Sequence, residues 1–111
     1  MEALQLKDLL ATALEDFKAN NVVSLDVREL TDIMDYLIVA GGTSSRHVKA
    51  LADNLTEAAK QHGVRPQGVE GQAGSEWILV DFGDVVAHLM LPAAREFYDL
   101  ERLWTGPASN R

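Results

Sequence analysis

The stretch Trp77-Ile78-Leu79-Val80-Asp81-Phe82-Gly83-Asp84-Val85-Val86-Ala87-His88-Leu89-Met90 decides the fold of this chain. Two apolar runs flank Gly83-Asp84, and a glycine in the first position suits a two-residue hairpin turn. Counting outward from the turn pairs Trp77 with Met90, and successive side chains along each strand lie on opposite faces. The sequence therefore predicts an antiparallel hairpin with a defined register.

The two faces of this hairpin differ in chemistry. One face carries only apolar side chains and is predicted to be core: Ile78, Val80, Phe82, Val85, Ala87 and Leu89. The other mixes large apolar groups with an acid and a histidine: Trp77, Leu79, Asp81, Val86, His88 and Met90. Trp and Met are enriched at interface cores, so such a mixture is typical of a protein-binding patch. Alternatively, a helix covers it and leaves Asp81 and His88 at the rim, and a register slip of one residue would exchange the faces.

Hydrophobic periodicity predicts the elements before the hairpin. Spacings of three and four predict a helix over residues 6–17, ending before Asn20-Asn21, and alternation predicts a strand over residues 23–28. Residues 36–40 are apolar at both parities, as in a strand covered on both sides. Ser44 or Thr43 can cap a second helix that ends near Gly63, and a short strand can precede Gly71. The buried stripe of this second helix is predicted to be Val48, Leu51, Ala52, Leu55 and Ala59.

The C-terminal part predicts one helix from Pro92 to Trp104, followed by a polar, flexible tail over residues 105–111. Tyr98 is expected beside the sheet as a semi-exposed aromatic, and four residues are expected to pack inward: Ala93, Phe97, Leu100 and Trp104. The order of elements predicts an α/β (α+β) fold, a mixed sheet flanked by helices, in a single domain over residues 1–104.

Composition narrows the function classes. The 111 residues carry a net charge of −7 and no cysteine, which excludes a disulfide scaffold, a thiolate zinc site and a cysteine nucleophile. There is no apolar run long enough to span a bilayer and no signal-peptide pattern at the start, so we expect a cytoplasmic protein. The ten Lys and Arg are scattered, which disfavours direct nucleic-acid binding. The acidity serves solubility in the simplest interpretation, and it also suits a basic protein partner such as a ribosomal protein.

Motifs for catalysis are weak. Gly41-Gly42 followed by Thr43-Ser44-Ser45 could place backbone N–H groups around a phosphate, but the lysine and spacing of a P-loop are missing. A glycine turn with a serine cap explains the same residues. His47, His62 and His88 are far apart in the sequence, so no metal pair arises from local spacing. We therefore expect no enzyme, no metal and no cofactor.

Three stretches resemble the Iojap family, whose bacterial members are ribosomal silencing factors. Residues 35–48 (Asp-Tyr-Leu-Ile-Val-Ala-Gly-Gly-Thr-Ser-Ser-Arg-His-Val) resemble its central motif. Residues 69–71 with 76–90 match a second block, and residues 95–104 resemble the family's ending. The resemblance covers about residues 4–104, nearly the whole chain.

The resemblance implies a binding protein with a nucleotidyltransferase-like fold. It implies binding to the large ribosomal subunit through ribosomal protein fourteen, steric block of subunit joining, and reduced translation under nutrient limitation. Members are often homodimers when free, and neither a membrane nor a specific nucleic-acid sequence is expected as a partner. The implied contact residues are Trp77, Leu79, Asp81, Met90 and Tyr98, with Pro92 and Leu100.

Two alternatives remain open beside this one. A magnesium-dependent nucleotidyltransferase-like enzyme needs Gly-Ser followed by paired carboxylates on a strand. Here Gly42-Thr43-Ser44 is followed by Asp53-Asn54 in a predicted helix, so the second carboxylate is missing. Binding to ribosomal RNA could use three basic residues of that helix, Arg46, Lys49 and Lys60.

Overall fold

The computed structural model describes residues 1–74 and 76–105, with the side chains of residues 97, 98, 104 and 105 left out. The helices are α1 (Ala3–Asp16), α2 (Ser45–Lys60), α3 (Pro92–Tyr98) and α4 (Leu100–Thr105). The strands are β1 (Asn20–Asp26), β2 (Tyr36–Gly41), β3 (Gly68–Glu70), β4 (Trp77–Asp81) and β5 (Val85–Met90). The predicted tail from residue 106 onward lies outside the described residues, while Thr105 is the last residue of α4.

The described strands form one mixed sheet in the order β1-β2-β5-β4-β3. β2 and β5 are parallel, and the other neighbouring pairs are antiparallel. The predicted fold class is confirmed, and so are the short strand before Gly71 and the fully buried strand β2. The strand predicted from residue 23 begins earlier: Asn20 and Asn21, expected as a helix stop, already belong to β1.

One face of the sheet is covered by α1 and α2. The core there joins Leu10 and Leu14 of α1 to the inward faces of β2, β4 and β5. All five residues predicted for the buried stripe of α2 are its buried residues, and Ser44 caps this helix by accepting a hydrogen bond from the His47 backbone N–H. A helix this amphipathic is held mainly by the apolar area that it buries.

The other face of the sheet carries a smaller core, which we call the second cluster. It consists of Val27, Met34, Leu37, Val39 and Met90. The short helices α3 and α4 cover part of it, through Ala94 of α3 and Leu100 of α4, which pack against it. This face is therefore only partly covered by helices in the described part of the chain.

The single helix predicted from Pro92 to Trp104 is wrong in one respect: the chain breaks at Asp99. Asp99 has φ 49° and ψ 51°, a left-handed conformation that Asp tolerates better than most residues and that ends α3. The prediction that Ala93 packs inward is also wrong, since Ala93 is exposed and Ala94 faces the second cluster. The inward packing predicted for Phe97 and Trp104 concerns side chains outside the described set.

Candidate binding surface

The β4–β5 hairpin builds the candidate surface. Its register pairs Trp77 with Met90, Leu79 with His88 and Asp81 with Val86, as the count from the turn predicts. Gly83 has φ +91°, a conformation open to glycine at little cost, so the turn chemistry and the register agree. The two faces are therefore those expected from the sequence.

Exposure separates the faces. The six residues of the predicted core face are at most 7% exposed and belong to the core beneath α1 and α2. On the opposite side five residues are half-buried, and we call them the hairpin face: Trp77, Leu79, Asp81, Val86 and His88. Large apolar side chains are thus held on a rigid hairpin while keeping part of their surface in solvent.

Met90 does not belong to this exposed surface. Its side chain is 0% exposed and is part of the second cluster, against which Ala94 and Leu100 pack. In this conformation the thioether therefore supports the surface from beneath, and the prediction that Met90 contacts a partner stays a prediction. The alternative of a covering helix is right for this end of the face.

A diagonal hydrogen bond joins Trp77 and His88. The indole Nε1–H donates to His88 Nδ1 at 2.8 Å, and the ring centroids lie 5.7 Å apart. Burial lowers the pKa of His88 from 6.5 to about 4, because the charged imidazolium is poorly solvated there. At neutral pH the ring is therefore uncharged and can accept. The sequence placed His88 opposite Leu79, and nothing in the alternation indicated its bond to the indole.

Asp81 has a structural role in addition to its place on the surface. Its Oδ1 accepts a hydrogen bond of 2.7 Å from the Gly83 backbone N–H, which closes the hairpin turn. Its backbone oxygen accepts from the N–H of Gln67, just before β3. An Asp81 substitution would therefore disturb the turn together with any contact made by the carboxylate.

The surface continues onto the edge strand β3, where Glu70 pairs with Leu79. An open groove of about 260 Å³ lies between Glu70, Gly71, Trp77 and Leu79. Gly71 has φ +89°, and a Cβ there would clash with the Trp77 carbonyl oxygen. Only glycine permits this close approach, which brings the acidic end of β3 beside the indole.

The three other predicted contact residues lie on the C-terminal helices. Pro92 is the exposed first residue of α3, where its missing N–H costs nothing. Leu100 is half-buried and packs against the second cluster, so it is mainly a covering residue. Tyr98 ends α3, and its side chain lies outside the described set.

The features considered for catalysis have local structural roles. Asp53 lies on α2, with its carboxylate 3.8 Å from Lys49, and is exposed to solvent. His47 Nδ1 accepts the Thr43 backbone N–H at 3.0 Å, which orders the glycine-rich turn before α2. Within residues 1–74 and 76–105, no three His, Asp or Glu side chains are grouped as metal ligands would be. No helix among these residues is long and apolar enough to cross a membrane.

Comparison with known proteins identifies the family. The chain matches the family described as "Ribosomal silencing factor during starvation" (RsfS) over residues 1–111. It is 47% identical over 106 residues to the ribosomal silencing factor RsfS of Chromobacterium violaceum, covering 96% of this chain and 87% of that protein. A crystal structure of a Chromobacterium violaceum protein superposes with a TM-score of 0.92 at 44% identity, covering 100% of this chain and 91% of that chain.

A more distant relative comes from Mus musculus and is named "Mitochondrial assembly of ribosomal large subunit protein 1". It is 37% identical over 101 residues, covering 88% of this chain and 44% of that protein. The family match extends over the whole chain, and the bacterial relative shares nearly half of its aligned residues. This chain therefore belongs to the ribosomal silencing factor family.

Proposed function

We propose that this protein binds the large ribosomal subunit through the hairpin face and represses translation by blocking subunit joining. The observation that carries the proposal is the pair Trp77 and Leu79, half-exposed on a rigid hairpin in a member of a ribosome-silencing family. Aromatic residues held this way are typical hot spots of protein interfaces. The name of the mouse relative, which refers to the ribosomal large subunit, supports the choice of subunit.

The proposed contact on that subunit is ribosomal protein fourteen. The chain has a net charge of −7, and ribosomal proteins are commonly basic, so electrostatic attraction favours the encounter. On the surface itself, Glu70 and Asp81 flank the apolar strip of Trp77 and Leu79. An apolar anchor with acidic flanks fits a basic partner surface that presents an apolar hollow.

The proposed mechanism is steric and includes no catalytic step. A domain bound at the intersubunit side of the large subunit would occupy space that the small subunit needs. The site of action would be the cytoplasm, where bacterial ribosomes work. Turnover of a nucleoside triphosphate with magnesium by the purified protein, lost on substitution of Asp53, would contradict this mechanism.

Co-sedimentation with isolated subunits tests the binding proposal. We expect the protein to sediment with large subunits and not with small ones. Trp77→Ala and Leu79→Ala should each weaken binding, Trp77→Ala by about 2 kcal/mol, or roughly 30-fold, the range of aromatic hot spots. The matched control is Lys49→Ala, at an exposed position of α2, which should bind like the wild type. If the protein instead bound ribosomal RNA along α2, the Lys49→Ala variant would bind more weakly.

A second measurement tests the silencing step. Protein added before the two subunits are mixed should reduce the joined-ribosome peak in a sucrose gradient, and Trp77→Ala should restore it. An unchanged profile at saturating wild-type protein would refute the block of subunit joining while leaving large-subunit binding intact.

We also propose that the free protein self-associates through the hairpin face, because Trp77 and Leu79 keep apolar area in solvent. Met90, fully buried, contributes nothing to that area. Sedimentation equilibrium at micromolar concentration should show a dimer that Trp77→Ala weakens. A monomer across this range would contradict the proposal.

A further inference from the structure

The hydrogen bond between Trp77 and His88 links the proposed docking residue to a side chain beside it on the sheet. Trp77 lies on β4 and His88 on β5, and their cross-strand partners are Met90 and Leu79, so the bond runs diagonally. At 2.8 Å between Nε1 and Nδ1 it is a short bond for two nitrogen atoms. The indole edge that carries the N–H thus points at the His88 ring.

The direction of this bond defines the state of the imidazole. An indole N–H can only donate, so His88 Nδ1 must accept, and a neutral ring then carries its proton on Nε2. The surroundings favour this neutral form, since burial is the cause of the lowered pKa of His88. The charged groups on the same face are Asp81 and Glu70. Asp81 lies on β4 two residues beyond Leu79, the register partner of His88, and Glu70 lies on β3 opposite Leu79, two strands away from His88.

The bond restricts how Trp77 can be arranged. Trp has two rotatable side-chain bonds, and packing against the second cluster together with the bond to His88 constrains both. A side chain ordered before docking loses less entropy when it docks. The polar atom of the indole is also satisfied inside the protein, so the part of the ring that faces solvent is apolar.

Building on the proposed docking function, we propose that His88 is a positioning residue that holds the Trp77 indole ready for docking. It follows that the partner receives Trp77 in an apolar hollow that offers no acceptor to the indole N–H. His88 acts through Trp77 and makes no contact of its own with the partner. This distinguishes it from Leu79, which is expected to touch the partner directly.

Two substitutions of His88 separate positioning from mere packing. His88→Leu fills the same place with an apolar side chain and removes the acceptor. His88→Asn removes the ring but keeps an acceptor oxygen near the position of Nδ1. The NMR signal of the Trp77 indole N–H, identified by its loss in Trp77→Phe, reports the bond through its shift and its exchange rate with solvent.

Isolated large subunits are the binding probe. We expect His88→Leu to weaken binding about tenfold and to speed exchange of the indole proton, whereas His88→Asn stays within about threefold of the wild type. In a Trp77→Ala background, His88→Leu should change binding by less than about twofold, because the residue that it positions is gone. Circular dichroism confirms that each variant is folded before binding is measured.

The outcomes discriminate between the two proposals. Equal losses from His88→Leu in the wild-type and Trp77→Ala backgrounds would show that His88 acts independently of Trp77 and would overturn the inference. Wild-type affinity of His88→Leu, with Trp77→Ala still impaired, would also overturn it and leave the docking function standing. Failure of the wild-type protein to bind large subunits would refute the docking function and the inference together.

Discussion

The Nε2 atom of His47 lies 3.1 Å from the carbonyl oxygen of Phe17, across 30 residues of sequence. The other ring nitrogen, Nδ1, accepts the Thr43 backbone N–H, so Nε2 carries the proton of the neutral ring and donates it to Phe17. One side chain therefore orders the turn before α2 and ties it to the end of α1.

This double contact predicts a stability cost for His47→Ala. Two hydrogen bonds of about 1 kcal/mol each are lost, so the free energy of unfolding should fall by about 2 kcal/mol in urea titrations. The control is Arg46→Ala, an exposed neighbour on the same helix that should stay within about 0.5 kcal/mol. Equal stabilities for the two variants would show that the tie contributes nothing.

The burial of Met90 predicts a core phenotype for a residue that the sequence assigned to the surface. Met90→Ala should lower the free energy of unfolding by about 3 kcal/mol, because it leaves a cavity in the second cluster. Met90→Leu nearly conserves the volume and should cost less than about 1.5 kcal/mol. Thermal and urea unfolding measure both variants.

Binding then decides between the two roles of Met90. Met90→Leu should bind large subunits like the wild type, because the side chain has no exposed surface to offer. A folded Met90→Leu variant with strongly reduced binding would instead support the prediction that Met90 is a contact residue.

The two faces of the hairpin predict different losses for two aromatic substitutions. Phe82→Ala should cost about 3 kcal/mol or more of stability, because Phe82 is 7% exposed within the core beneath α1 and α2. Trp77→Ala should cost less stability, since the indole is half-buried, and should lose mainly binding. If Trp77→Ala unfolds the domain as readily as Phe82→Ala, Trp77 is a core residue.

His88 predicts a pH dependence of stability. Its pKa is about 4 in the folded protein against 6.5 as the ordinary value, so the unfolded chain binds the proton more tightly. The stabilisation is complete above pH 6.5, falls as the pH drops from 6.5 towards 4 and is constant below that, with a total of at most about 3 kcal/mol.

The measurement is the difference in unfolding free energy between the wild type and His88→Asn, which does not titrate. Taking the difference cancels the contribution of groups common to both proteins, such as Asp26, whose pKa is lowered to about 2 by its hydrogen bond from Arg28. A difference that stays constant from pH 7 to pH 4 would contradict the buried neutral state of His88.

Arg95 predicts how the C-terminal helices are held. Its guanidinium donates to the carbonyl oxygens of Asn20 and Asn21 at 3.0 and 2.7 Å and to Glu101 at 2.8 Å. Arg95→Met should therefore cost about 2 kcal/mol and raise amide hydrogen exchange in α3 and α4, which lose their tie to β1. Arg102→Met is the control, since Arg102 is 85% exposed with its nearest carboxylate 4.0 Å away. Equal exchange in the two variants would contradict this anchoring role.

The local sequence pattern was sufficient to predict an element and its buried face wherever that element has a clear hydrophobic periodicity. The register of the hairpin, the two faces of β4 and β5 and the buried stripe of α2 follow from alternation by two and spacing by three or four around clear turn residues. Resemblance of the motifs to a family added the function class, which no periodicity contains. Both kinds of information are readable along the chain because they depend on neighbours in sequence.

The tertiary structure alone decided which parts of the surface are covered and which side chains meet across strands. Met90 shares its strand face with the half-buried Val86 and His88. It is buried because α3 and α4, which are separated by a break at Asp99 that no periodic pattern marks, pack above it. The bond from Trp77 to His88 joins residues that are not register partners, so it depends on side-chain rotamers and on burial. Burial and diagonal contacts each depend on several elements at once. They stabilise the protein only after the sheet and its covering helices have packed together.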